Sequence, residues 1–271
     1  MTHNFPDWQG ARGEKWLASL AVMEATLQVV DTPLIDALAL DAPRRIADVA
    51  CGGGGTTLAI HRRAPSGSVV HGFDISPALV EAARARTSEV AFDIANIAET
   101  APERPYDRLA SRFGVMFFED PPRAFSNLAR WLAPRGRFAF AVWGPIGDNR
   151  WMTTVRDTVA ELVEVPPIDL HAPGPFRYGD VAELVTLLDH AGFIDLDVRS
   201  WTGELPIGGR RPAAEAAAAA IDSLSTFADL LTDDVALAAA RASLTARFVP
   251  HERDRAVWMD ARVHIVTGTR A

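Results

Sequence analysis

Cysteine and lysine are almost missing from this chain. One cysteine, Cys51, stands in 271 residues. An internal disulfide and a cysteine-built zinc site are therefore excluded. Lys15 is the single lysine, so 26 of the 27 basic residues are arginine. The formal charge is −8 and no basic run offsets it, which argues against binding to a nucleic-acid backbone. No apolar stretch approaches the ~18–20 residues needed to cross a bilayer, so no membrane partner is expected. The opening MTHNFPDWQG has no basic-then-apolar signal pattern, and a reducing, cytoplasmic setting is expected. What is present is ordinary for a globular protein: 48% hydrophobic and 23% charged residues. The length suits one domain with a smaller cap.

The pattern changes along the chain. Trp16, Leu20, Met23, Leu27 and Val30 fall at steps of four and three, predicting one helical face over residues 14–30. Asp31, Thr32 and Pro33 break it and open a second helix to about residue 40. From residue 45 short apolar runs alternate with helical patterns. Strands are predicted at 45–50, 68–73, 90–94, 107–113 and 137–143. Ser76-Pro77 and Asp120-Pro121 supply an N-cap and a first-turn proline for two of the intervening helices. Such alternation means parallel strands joined by helical crossovers, a doubly wound α/β sheet. Residues 145–178 are rich in proline. A helix over 180–190 ends at Gly192, a strand follows at 193–202, an alanine-rich helical stretch fills 212–247, and a last strand covers 262–267. This late strand pair, split by a helical insert, suggests an antiparallel edge on the parallel sheet.

Chemistry concentrates in Asp48-Val-Ala-Cys-Gly-Gly-Gly-Gly-Thr-Thr57 and in Asp74, 20 residues beyond Gly54. A glycine-rich turn between strand and helix lets the backbone approach a ligand closely and aims helix N–H groups at it. An acidic residue ending the next strand can accept both ribose hydroxyls. The pair indicates a nucleoside-bearing cofactor. The dinucleotide pattern G-x-G-x-x-G fails, because Thr57 stands where the third glycine belongs. Asp48, inside the strand, would gain little beside a pyrophosphate but much beside a cation. S-adenosylmethionine, with its sulfonium and ammonium, fits that charge.

At these residues the chain resembles the class I S-adenosylmethionine-dependent methyltransferases, especially a ubiquinone/menaquinone-biosynthesis-like bacterial subset. The family pattern of an acidic residue followed by G-x-G-x-G falls on Asp48, Ala50, Gly52 and Gly54, with alanine replacing the first glycine. The run Ser111-Arg-Phe-Gly-Val-Met-Phe-Phe118, the leader Trp8 to Trp16 and Ala172-Pro-Gly-Pro-Phe176 resemble that subset too. The resemblance covers roughly residues 5–205. It implies a Rossmann-like, seven-stranded, mostly parallel sheet with an antiparallel last strand and a helical cap. The core is expected at about 34–144, 180–207 and 259–271, and the cap from 1–30, 145–178 and 208–258. It further implies that Gly52 and Gly54 line the methionine part, Asp74 binds the ribose diol and Ile75 packs on adenine. Asn96 and Ile97 would face the adenine amino group, Ser111 and Phe113 would border the methionine end, and Trp16 would close over the cofactor.

No residue declares itself as a catalytic base. His171 and Tyr178, in the proline-rich excursion, are the candidates by position. No metal is expected. Cys51, between Ala50 and Gly52, is expected to pack behind the loop rather than react. Aromatic residues in the cap segments suggest a small, partly apolar acceptor, methylated mainly through positioning. Two alternatives stand: a fold-mate that binds the same cofactor for another reaction, and a nicotinamide-dependent oxidoreductase. The oligomeric state is open, a homodimer being one option.

Overall fold

The computed structural model describes residues 7–271. Its frame is a single sheet ordered β3-β2-β1-β4-β5-β8-β6. The strands are β1 (Arg45–Val49), β2 (Val69–Asp74), β3 (Ala91–Ile94), β4 (Tyr106–Arg112), β5 (Leu132–Trp143), β6 (Phe193–Pro206), β7 (Glu252–Arg253) and β8 (Ala256–Arg270). β1 to β5 pair in parallel. β8 runs antiparallel to both β5 and β6, and the two-residue β7 folds back on its start. The expected sheet is present, with its antiparallel last strand. β8 lies between β5 and β6, and the late pair β8–β6 forms one edge of the sheet.

The helices are α1 (Ala11–Ala18), α2 (Leu20–Leu27), α3 (Asp31–Ala37), α4 (Gly55–Arg63), α5 (Pro77–Arg84), α6 (Pro121–Trp131), α7 (Arg150–Ala160), α8 (Val181–His190), the short turn α9 (Ile207–Arg210), α10 (Ala213–Ser223), α11 (Ser225–Ala228) and α12 (Asp234–Phe248). Their starts follow local rules. Ser76 caps α5 by accepting from Leu79 N at 3.4 Å, and Asp120 caps α6 by accepting from Arg123 N at 3.1 Å. α8 ends at Gly192, whose φ is +87°. The single amphipathic helix expected over 14–30 is divided at Ser19 into α1 and α2.

β5 shows how the sheet is covered on both faces. Arg137 reaches the Ala37 carbonyl on α3 at 2.7 Å, while Phe140 meets Phe125 of α6 with ring centroids 6.5 Å apart. Positions three apart on a strand point to opposite faces, so α3 and α6 lie on opposite sides. Ile46, Leu109, Phe138 and Phe140 are fully buried between these layers. The carboxyl ends of β1, β2, β3 and β4 are left to the N-terminal helices and the segment after β5. Among the described residues no helix is long and apolar enough to cross a membrane, and no cluster of three or more His, Cys, Asp or Glu could hold a metal.

Candidate active site

A cavity of about 770 Å³ opens at those strand ends. Its floor is the β1–α4 loop. Ala50 has φ +56° and Gly52 φ +55°, so the chain turns sharply out of β1. The left-handed conformation costs an alanine roughly 1–2 kcal/mol. It also aims the Ala50 methyl at Gly114, where an added Cβ would lie 2.4 Å from it. Glycine at 114 is thus the counterpart of alanine at 50.

Two acidic groups hold this loop. Asp74 Oδ2 accepts from Gly52 N at 2.8 Å and Oδ1 from Ser76 N at 2.9 Å. Each oxygen keeps a second lone pair for a ligand. Asp48 is buried beneath the loop and accepts from Thr57 Oγ1 at 2.6 Å. That bond explains why position 57 is not glycine. Burial pushes the Asp48 carboxyl up to about 7, the Thr57 hydrogen bond opposing this. Burial also raises Asp74, against the pull of its backbone donors. Cys51 lines the cavity, but burial and then the Asp74 and Asp48 charges hold its thiol well above the ordinary range. A buried thiol so raised suits packing rather than nucleophilic chemistry.

Of the residues expected at the site, Trp16, Asp48, Ala50, Gly52, Asp74, Ile75, Asn96, Ile97 and Phe113 line this cavity. Asn96 Oδ1 also accepts from Ala98 N at 3.2 Å, which fixes its amide. Gly54 and Ser111 support the site from behind. A Cβ on Gly54 would come within 2.8 Å of the Phe92 ring, and its φ of +82° starts α4. Ser111 is fully buried and donates to the Val49 carbonyl at 2.8 Å, tying β4 to β1.

The structure does not bring the two catalytic candidates to the cavity. His171 does not line the cavity: its side chain is 87% exposed and faces Glu183 at 3.9 Å. Tyr178 is fully buried in the core against Phe125, and its hydroxyl has no hydrogen-bond partner among the described residues. Burial pushes its ionisation well up. Among the described residues no histidine or tyrosine lines the cavity.

Three features escaped the sequence reading. Arg112 lines the cavity and pairs with buried Asp31 at 3.0 Å, while Thr56 donates to the same carboxylate at 2.9 Å. Burial raises Asp31, and Arg112 opposes the rise. Second, Phe113 has φ +61°, a strained conformation for a bulky residue. Its ring lies flat on Trp143, centroids 4.1 Å apart and planes 9° apart. Third, the indole N–H of Trp8, at the cavity wall, is buried without a hydrogen-bond partner among the described residues. Arg112 stood inside the 111–118 motif, and Asp31 looked like a helix break. Only their pairing was invisible.

A nucleoside cofactor fits what these residues offer. A ribose diol matches the spare lone pairs of Asp74, and a cation matches the surplus of buried carboxylates. A family model described as a methyltransferase domain matches residues 46–136. A trans-aconitate 2-methyltransferase of Methylobacterium radiotolerans is 37% identical over 106 residues, 39% of this chain and 40% of that protein. One from Yersinia pestis is 32% identical over 108 residues, 40% and 42% of the two chains. The chain thus matches less than half the length of these curated relatives. Among solved structures, phosphoethanolamine N-methyltransferase 2 of Haemonchus contortus in complex with S-adenosyl-L-methionine superposes with a TM-score of 0.58. It covers 98% of this chain and 60% of that one at 14% identity. The YcgJ protein of Bacillus subtilis gives 0.55 over 90% and 98% at 14% identity, and the [4+2]-cyclase SpnF gives 0.52 over 89% and 80% at 18%. These likenesses show the fold. Residues 46–136 are thus similar to a methyltransferase domain. These curated relatives are trans-aconitate 2-methyltransferases, so the match does not single out the ubiquinone/menaquinone-biosynthesis-like subset.

Proposed function

We propose that the whole chain is an S-adenosylmethionine-dependent methyltransferase for a small, partly apolar acceptor. The observation that carries this reading is the pair of buried carboxylates, Asp48 and Asp74, aimed at one glycine-floored cavity. When bound, the cofactor supplies an electrophilic methyl group on a sulfonium. Asp74 would hold the ribose, Ile75 and Asn96 the adenine, and Trp16 would lie over the loop. Asp48 and the Asp31–Arg112 pair set the local charge for the methionine end.

Methyl transfer would form the acceptor–carbon bond as the methyl leaves the sulfonium, the C–S bonding pair staying on sulfur, and the chain's part would be to hold donor and acceptor in line. The acceptor's proton, where it has one, leaves to water. Alignment of donor and acceptor would carry most of the catalysis, and alignment can lower a barrier by ~7–11 kcal/mol. The cyclase neighbour shows that the fold alone does not decide between methyl transfer and another reaction. A nicotinamide reading loses support, because Thr57 is committed to Asp48.

Calorimetric titration with S-adenosylmethionine, S-adenosylhomocysteine and NADH tests the cofactor. Binding of the first two and not the third is expected, and no binding of S-adenosylmethionine at millimolar concentration would end the proposal. Release of S-adenosylhomocysteine with candidate acceptors then separates transfer from mere binding.

A further inference from the structure

The sheet order sets out the cavity from one end to the other. Asn96 follows β3, Asp74 ends β2, Gly52 follows β1, Phe113 follows β4 and Trp143 ends β5. Neighbouring strands are ~4.8 Å apart, so Trp143 lies three strand spacings, about 14 Å, beyond Asp74. The groups suited to a nucleoside occupy the β3 to β1 end. The β4 to β5 end is left for the acceptor.

That end is an aromatic wall. Phe113 stacks on Trp143, Trp143 meets Trp151 with centroids 5.0 Å apart, and Phe176 lies 6.4 Å from Trp143 and 6.2 Å from Trp151. Trp151 is held in place by donating from Nε1 to Asn149 Oδ1 at 3.3 Å. All four rings line the cavity and are nearly buried. Phe113 lies flat on Trp143 from a left-handed backbone of φ +61°.

The charge lining the cavity is predominantly acidic. Among the described residues, eight acidic side chains and three arginines line the cavity. Each arginine already faces a carboxylate of this chain. Arg112 pairs with Asp31 at 3.0 Å, Arg123 with Glu99 at 3.2 Å, and Arg12 is attracted by Asp229 while lying over the Trp8 ring. A polyanion entering here would meet like charge and find its counter-charges taken.

We propose that the acceptor end takes an uncharged, ring-bearing molecule and rejects polycarboxylates, in contrast to the trans-aconitate named for its relatives. This rests on the methyl-transfer reading above. Aromatic faces give such a ring offset stacking and apolar burial, and neither needs a counter-charge.

The test uses the full chain saturated with S-adenosylhomocysteine and titrated with 2-naphthol or with trans-aconitate. 2-Naphthol is expected to bind saturably. Trp151→Ala should weaken it about tenfold or more, and Trp151→Phe should restore most of the loss. Unchanged S-adenosylhomocysteine affinity in both variants shows that they fold. Trans-aconitate should neither bind nor be methylated when S-adenosylmethionine is supplied. Saturable binding or methylation of trans-aconitate, no binding of 2-naphthol, or equal 2-naphthol affinity in Trp151→Ala would each overturn the acceptor proposal alone. Failure of S-adenosylhomocysteine itself to bind would instead remove the methyl-transfer reading beneath it.

Discussion

Replacing Asp74 by alanine removes a carboxylate that does two separable things. It accepts from Gly52 N and Ser76 N at 2.8 and 2.9 Å, and its remaining lone pairs face the cavity where a ribose diol would sit. A hydrogen bond to a charged acceptor contributes about 1.5–3 kcal/mol, so one lost ribose contact weakens binding roughly 10- to 150-fold. The loop also loses two acceptors, so a bare loss of affinity could come from a loosened Gly52 turn. A cycle separates the two effects. Affinities of the native chain and of Asp74→Ala are measured calorimetrically for S-adenosylhomocysteine and for its 2′-deoxy analogue. If Asp74 holds the diol, the native chain discriminates against the deoxy compound by about 1.5–3 kcal/mol, and the variant by close to none. Equal discrimination in both proteins would refute the contact, however much affinity the substitution costs.

Asp48 should make the unliganded chain pH-sensitive. Its carboxyl titrates near 7 in the fold against an ordinary 3.8, so the folded chain binds the extra proton between those values. Its contribution to stability therefore falls as pH rises from about 4 to 7, by roughly 4 kcal/mol at most. Urea unfolding of the native chain and Asp48→Asn at pH 5 and pH 8 should show the variant gaining on the native chain at the higher pH; parallel curves would contradict the buried ionisation. Gly114→Ala should destabilise by about 1–3 kcal/mol by forcing a methyl onto Ala50, and adding Ala50→Gly should recover part of it in thermal melts. A harmless Gly114→Ala would show that the two positions do not press on each other. Tyr178→Phe should leave cofactor affinity unchanged and unfold no more easily, because the lost hydroxyl has no partner. His171→Ala should leave turnover unchanged, and a drop beyond about tenfold, or ~1.4 kcal/mol of barrier, would return that residue to the mechanism.

Much of this was legible in the chain itself where the cause was local. A run such as Ile46–Val49 with Gly52 to Gly55 close behind reads as a buried strand breaking into a turn. Ser76-Pro77 and Asp120-Pro121 announce helix starts through their own donors and rings. Asp74 was placed correctly because a strand's last residue faces its carboxyl end whatever surrounds it. Other features were hidden because their cause is distant. β5 begins at Leu132, not at 137, because Leu132 pairs with Tyr106 across a register shift. β8 extends over Ala256–Arg270 because two partners, β5 and β6, satisfy its backbone from both sides. Tyr178 and His171 sit seven positions apart in the same excursion, yet one is buried and the other exposed. No local pattern distinguishes them.

The amino-acid sequence alone determined the strand–helix alternation, the glycine turn and the acidic residues on either side of it, since periodicity, glycine conformation and capping act over a few residues. Only the tertiary structure decided which charges meet, as in Arg112 with Asp31. It also decided which aromatic rings assemble into a wall at the ends of β4 and β5. Those contacts join segments as far apart as Asp31 and Arg112 or Phe113 and Phe176, and only the packed sheet brings them together.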